Sequence, residues 1–256
     1  MENYKINNLV MECAMKNNFG KIVTIFLILF LIPLYGWSQQ GDNGQSEEQE
    51  ETTVEELFLQ SVEMRIIGEQ AFNDNRSSKL SALDNLEELV DEGQVAAGDA
   101  EATYILDRLS SEGIGVQLRE NGRLINNFPE VRRRASELLG KIGGESAKDT
   151  LINVLISDDE PMVLAEAVYA LGEMAADNEN NQMTQAISFS ILNQDILTPD
   201  QNFAYAALLS IEKLAEHNGG LNDPSIYRAL IRITQGNYIS TVQDKAQEVL
   251  RTLMSY

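Results

Sequence analysis

The chain is poor in the residues that do chemistry: one cysteine, one histidine, one tryptophan and five prolines among 256 residues. A single thiol, Cys13, rules out a disulfide framework and any Cys/His dyad in the region downstream of it. Cys13 also precedes the one long apolar run, so it does not stand where a lipid-modified cysteine would at a cleavage point. The lone histidine, His217, lies in Glu216-His217-Asn218-Gly219-Gly220, a helix-end sequence in which a basic side chain meets the negative end of the helix dipole. It cannot build a His-rich metal cluster, and no Gly-x-Ser-x-Gly elbow accompanies it. No phosphate-binding Gly-Lys-Ser/Thr sequence occurs, and Gly113-x-Gly115 lacks the strand-to-helix context of a dinucleotide loop. These absences give no catalytic residue, metal ligand or cofactor site, and the chain is not expected to be an enzyme. Paired carboxylates abound in so acidic a chain, so a polysaccharide-acting enzyme or accessory using carboxylates is the alternative.

Positive charge is scarce too. Lys and Arg number 19 against 40 Asp and Glu, giving a net charge of −21. Binding a polyanion by counterion release needs a concentrated basic surface, and only Arg132 to Arg134 cluster, so nucleic acid is not an expected partner. Long apolar runs are limited to Ile22–Leu34, interrupted only by Thr24 and Pro33. That is shorter than the roughly 20 residues a spanning helix needs. Lys16 and Lys21 precede it and Gly36-Trp37-Ser38 follow, which is the layout of a secretory signal peptide over residues 1–38, with Met15 an alternative start. Export to the periplasm or beyond is the expectation, and the membrane is a partner only if this segment stays uncleaved, which would make the chain a tethered adaptor. Residues 39–52 are polar and acidic and read as a disordered linker.

What remains, 53–256, is rich in Ala, Leu and Glu at helical spacing. Thr52-Thr53 with Glu55-Glu56 predict a capped start for a helix to about Phe72, which would cap the array's first exposed side. Ser77 or Ser78 opens a second helix and Asp99 a third. In Pro129–Gly143, Val131, Ala135, Leu138, Leu139 and Ile142 line one side, Pro129 suits the first turn and Gly143 the end. The pattern small residue, Leu four later, aliphatic seven later recurs as Ala135/Leu139/Ile142, Ala167/Leu171/Met174, Ala204/Leu208/Ile211 and Ala246/Leu250/Leu253, with Ala82/Leu86/Leu89 a weaker copy upstream. The copies stand roughly 30 to 45 residues apart, the scale of one stacked supersecondary unit. Partner helices are predicted at 146–156, 182–192 and 223–234, and a terminal helix at 241–254. Between Ser110 and Phe128 helical periodicity stops, and alternation around Asn121-Gly122 predicts a β-hairpin or ordered loop near 112–128. The run Asp158-Asp159-Glu160 is expected to favour a helix N-terminus, since the glycine and remaining ligands of a calcium loop are missing.

Val131-Arg132, Ala135 and Leu139-Gly140 following Pro129, and Pro161, Val163, Ala167 and Leu171-Gly172 in the next copy, resemble HEAT and HEAT-like (armadillo-type) repeats. The resemblance implies an all-α, right-handed α-solenoid of about four helical hairpins that binds or assembles proteins; taken with the leader-like segment 1–38, the expectation is an exported scaffold of a bacterial envelope. The resemblance also implies that Arg132 pairs with acidic groups of a neighbouring repeat. Arg133 and Arg134, with Arg119 and Arg123 in the preceding loop, are the candidate protein-binding residues, as a basic spot on an acidic molecule. Arg228 and Arg232, one turn apart on the third partner helix, form a second candidate.

Overall fold

The computed structural model describes residues 54–177 and 181–256; the expected leader, the linker and the Thr52-Thr53 cap lie outside them. Ten α-helices occur among the described residues: α1 (Val54–Ala71), α2 (Arg76–Asp91), α3 (Ala100–Ser110), α4 (Pro129–Ile142), α5 (Glu145–Ser157), α6 (Pro161–Glu173), α7 (Gln182–Asn193), α8 (Gln201–Asn218), α9 (Pro224–Gln235) and α10 (Ser240–Leu253). None is long and apolar enough to cross a membrane. Each even-numbered helix packs on the next even one, and each odd-numbered helix on the next odd one. Two parallel rows joined as hairpins result, which is a solenoid of HEAT-like hairpins.

The even row is where the repeated pattern resides. Ala82, Ala135, Ala167, Ala204 and Ala246 are at most 1% exposed and mark the same position of α2, α4, α6, α8 and α10. Small residues there let neighbouring axes approach, and the glycine after the repeated leucine takes this to its limit. A Cβ on Gly140 would stand 2.7 Å from the Ala170 Cβ, and one on Gly172 would stand 2.8 Å from the Ser210 Cα. The Ser210 hydroxyl donates to the Val168 carbonyl at 2.6 Å, closing the α6–α8 contact with a hydrogen bond. The Leu-Gly pair is therefore a helix-packing device. From Met64 to Leu253 the buried apolar side chains form one continuous core.

Prolines occupy the first turn of α4, α6 and α9, where the missing N–H has no intrahelical acceptor to lose. α2 opens one residue ahead of the expected serines, at Arg76. The Asn75 carboxamide caps it by accepting from the Ser77 N–H at 2.8 Å. The hairpin is short: β1 (Arg119–Glu120) pairs antiparallel with β2 (Arg123–Leu124). Asn121 and Gly122 take φ of 49° and 81°, the left-handed pair that a type I′ turn requires.

Below the hairpin lies a polar core that the hydrophobic pattern does not announce. Asn126, 1% exposed, accepts from the Leu118 N–H at 2.8 Å and donates to the Val116 carbonyl at 2.7 Å and to Glu112 Oε1 at 2.6 Å. Glu112 in turn pairs with Lys79 of α2 at 2.9 Å, both almost wholly buried. The insertion is thus a fixed part of the stack.

Candidate protein-binding surfaces

Successive helical residues are about 100° apart, so three consecutive arginines on α4 leave it in three directions. Arg132, 1% exposed, grips Asp158 through Nε at 2.6 Å and Nη2 at 3.1 Å. Its Nη1 donates to the Glu112 carbonyl at 3.1 Å and to Asn127 Oδ1 at 2.7 Å. Asp158 is therefore first the counterion of Arg132, and it also accepts from the Glu160 N–H at 2.9 Å just ahead of α6. The expected cap is not formed, since Glu160 is the N-cap and no side chain of the acidic run bonds the first helical N–H groups. Arg133 reaches forward to Glu166 of α6 at 3.0 Å, with Glu137 at 3.4 Å. Arg134 reaches back to Asp84 and Glu87 of α2 at 2.5 and 2.8 Å.

These pairs belong to a series that crosses the whole even row. Lys141 joins Glu87 and Asp91 at 2.9 and 3.2 Å. Lys213 of α8 pairs with Glu173 of α6 and lies 4.5 Å from the centroid of the Tyr169 ring. Lys245 of α10 pairs with Glu212 of α8 at 2.8 Å. Between α4, α6 and α8 the row carries a groove of about 410 Å³, lined by Arg133, Met162, Ala165, Glu166, Tyr169 and Ala206.

The ion pairs set the acid response of the row. The hydrogen bond from Lys141 holds Glu87 below its ordinary range, and that from Lys213 does the same for Glu173. Glu166 moves the other way, because burial outweighs its bond to Arg133. A carboxyl depressed in the folded state contributes stability above its unfolded value and loses it as pH falls through the folded value. Thermal melts between roughly pH 5 and 3 are therefore expected to fall more steeply for the wild type than for the Glu87→Gln/Glu173→Gln variant. Parallel slopes would remove the ion pairs from the account.

The other nominated arginines occupy separate places. Arg119 braces its own turn, donating to the Gly122 carbonyl at 3.3 Å and to Gln117 Oε1 at 3.0 Å. Arg123 stands exposed opposite Glu120 in the hairpin register. Arg228 is exposed on α9, whereas Arg232 turns toward the α7–α8 connection and donates to the Gln194 carbonyl at 2.5 Å. The expected basic spot is accordingly divided between the hairpin and two opposite flanks of α4.

The odd row has a different surface. Its helices are locked from within, Thr150 donating to Asp107 Oδ1 at 2.9 Å and Ser190 to the Leu155 carbonyl at 3.2 Å. Outward, one large apolar side chain stands on each of four successive helices: Tyr104 of α3, Ile156 of α5, Phe189 of α7 and Ile231 of α9, 59, 55, 52 and 43% exposed. Phe72, just past α1, meets Tyr104 edge to face with centroids 5.9 Å apart. Asn153, Gln185 and Arg228 are exposed on the same row. Sequence reasoning passed over this set. Its signal was there, an apolar residue lying off the buried stripe of each partner helix, as Phe189 does beside Ile187 and Ile191.

No group of three or more His, Cys, Asp or Glu side chains suited to a metal ion stands among the described residues. Residues 123–188 match the family described as HEAT repeats. The matched stretch runs from β2 through α4, α5 and α6 into α7, the part where the Pro, Val-Arg, Ala and Leu-Gly signals are fullest. No curated protein matches the chain.

Proposed function

We propose that this chain, built of HEAT-like repeats, is an exported scaffold of a bacterial cell envelope that binds protein partners without catalysing a reaction. The observation that carries the reading is the difference between the two rows. The even row engages its charges in pairs between neighbouring helices, with its exposed Met162, Tyr169 and Tyr205 set among them. The odd row leaves Tyr104, Ile156, Phe189 and Ile231 facing solvent, bordered by Glu101, Asp107 and Asp149 on α3 and α5 and by no charged residue on α7. The centres of protein interfaces are enriched in aromatic residues and depleted of charge, and α7, which presents Phe189 and carries no charged residue, has that composition. The spacing of the odd row is held by the buried core and by the Thr150 and Ser190 bonds, so binding does not have to order the surface first. Arg228 adds a cation one turn from Ile231, for an acidic group of a partner. The leader-like segment 1–38 supports export to the periplasm or beyond.

Cross-linking in the native host, followed by identification of the captured proteins, tests the binding. Sequencing the N-terminus of the exported chain tests the leader. Specific protein adducts and a new N-terminus near residue 39 are expected. No protein adduct anywhere on the surface would overturn the scaffold reading, and an intact N-terminus would make the protein a membrane-tethered adaptor.

A further inference from the structure

The two ends of the helix stack differ. A terminal repeat needs a polar outer side, because nothing buries it. The last helix, α10, meets that requirement: its exposed positions are Ser240, Thr241, Asp244, Gln247, Glu248 and Arg251. The first does not. α1 buries Met64, Ile67 and Ala71 against the stack, yet its opposite side leaves Phe58, Leu59 and Ile66 67, 64 and 48% exposed, with Val62 half-buried among them. Phe58, Val62 and Ile66 follow one another at four-residue intervals, a ridge of the kind that packs into the groove of another helix. The helix expected to close the array at this end instead offers a site for one more.

The charges beside the ridge select what fits. Among the described side chains of α1, Glu55, Glu63 and Glu69 are exposed and Arg65 is the one cation. A second copy of the chain would bring two such sets of carboxylates together, and a membrane rich in anionic lipid would be repelled. An amphipathic helix carrying Lys or Arg along the borders of its apolar stripe satisfies both the ridge and the carboxylates. We infer that α1 is the docking site for a basic amphipathic helix of a partner protein, which continues the stack by one helix. This deepens the scaffold reading and rests on it.

The probe is a labelled helical peptide as long as α1, 18 residues, with Leu at i, i+3, i+4 and i+7 and Lys at the flanking positions, titrated against the exported chain. Two comparison peptides have the Lys replaced by Glu, or the Leu and Lys order scrambled. The Leu/Lys helix is expected to bind and to weaken several-fold when salt is raised to about 0.3 M. Phe58→Gln/Ile66→Gln is expected to reduce its affinity about tenfold with the melting temperature unchanged, since both side chains are exposed. Glu55→Gln/Glu69→Gln, which keeps the ridge, is expected to weaken it to a smaller degree and to flatten the salt dependence. Equal binding of either comparison peptide, or indifference to Phe58→Gln/Ile66→Gln, would overturn the proposal. So would a wild-type dimer that this variant dissolves, which assigns the ridge to a second copy, or a large fall in its melting temperature, which assigns the ridge to the chain's own core. Failure here leaves the scaffold reading standing as long as partners cross-link to the odd row in the host. Absence of any partner removes that reading independently of the peptide.

Discussion

Gly172→Leu is expected to destabilise the fold by about 3 kcal/mol or more, with a large drop in its unfolding midpoint. Gly172 lies where α6 crosses α8, and a Cβ there meets Ser210 at 2.7 Å from Oγ, 2.8 Å from Cα and 2.9 Å from Cβ. A contact with the tip of a flexible chain relaxes by a rotamer change, but a contact with a backbone Cα relaxes only if the helix moves. Moving α8 would also break the Ser210 bond to the Val168 carbonyl, 2.6 Å long. Overpacking a tight core costs about 1–3 kcal/mol, and a clash with the backbone belongs at or above the top of that range. Natural domains are stable by only about 5–15 kcal/mol. Gly68→Ala in α1 supplies the control: its Cβ meets nothing nearer than 3.7 Å, and replacing a mid-helix glycine should stabilise by about 0.5–1 kcal/mol. Urea and thermal unfolding of the two variants check the contrast, and a folded, wild-type-like Gly172→Leu would show that the even row is not packed as described.

The second large effect is expected at Asp158. Removing one partner of a buried ion pair strands the other charge, which costs about 3–5 kcal/mol. Asp158→Ala does this to Arg132, whose side chain is 1% exposed. Arg132 would keep the Glu112 carbonyl and Asn127 as acceptors, but neither carries a full negative charge on the accepting atom. Arg134→Ala is the comparison: the carboxylates it leaves behind, Asp84 and Glu87, are 63 and 31% exposed and stay in contact with water, and Glu87 keeps Lys141. The loss therefore belongs near the roughly 0–1 kcal/mol of surface pairs. Denaturant midpoints should rank wild type, Arg134→Ala and Asp158→Ala in descending order. If Asp158→Ala sits at or above Arg134→Ala, the Arg132 pair is not the anchor between α4 and the α5–α6 connection.

These two sites also show what can be read from sequence and where reading stops. Gly172 was legible, as the second half of a Leu-Gly pair recurring at a fixed offset from a buried alanine, because packing between adjacent repeats imprints a local pattern. The type I′ turn at Asn121-Gly122 and the prolines opening α4, α6 and α9 were legible for the same reason: each is set by the backbone of a few adjoining residues. The pairing of Arg132 with an acidic group of the neighbouring repeat was implied by the HEAT resemblance. The destinations of Arg133 and Arg134 were not legible, because their carboxylate partners lie 33 and 50 positions away on two different helices. A run of three like charges looks like one patch until the helix turns them apart. The polar core of Lys79, Glu112 and Asn126 was hidden likewise, since Lys, Glu and Asn are ordinarily surface residues and only the fold brings these together. The odd-row apolar side chains occupied a middle ground, visible as residues off the buried stripe but without meaning until four of them stood on four stacked helices.

The most direct test of the scaffold account is site-specific photo-cross-linking in the native host, with a photoreactive residue placed at Phe189 or Ile231 on the odd row and at Lys213 or Asp244 on the even row. The account predicts discrete protein adducts from Phe189 and Ile231 and none from Lys213 and Asp244. Adducts confined to the even row, or none from any of the four positions, would contradict it.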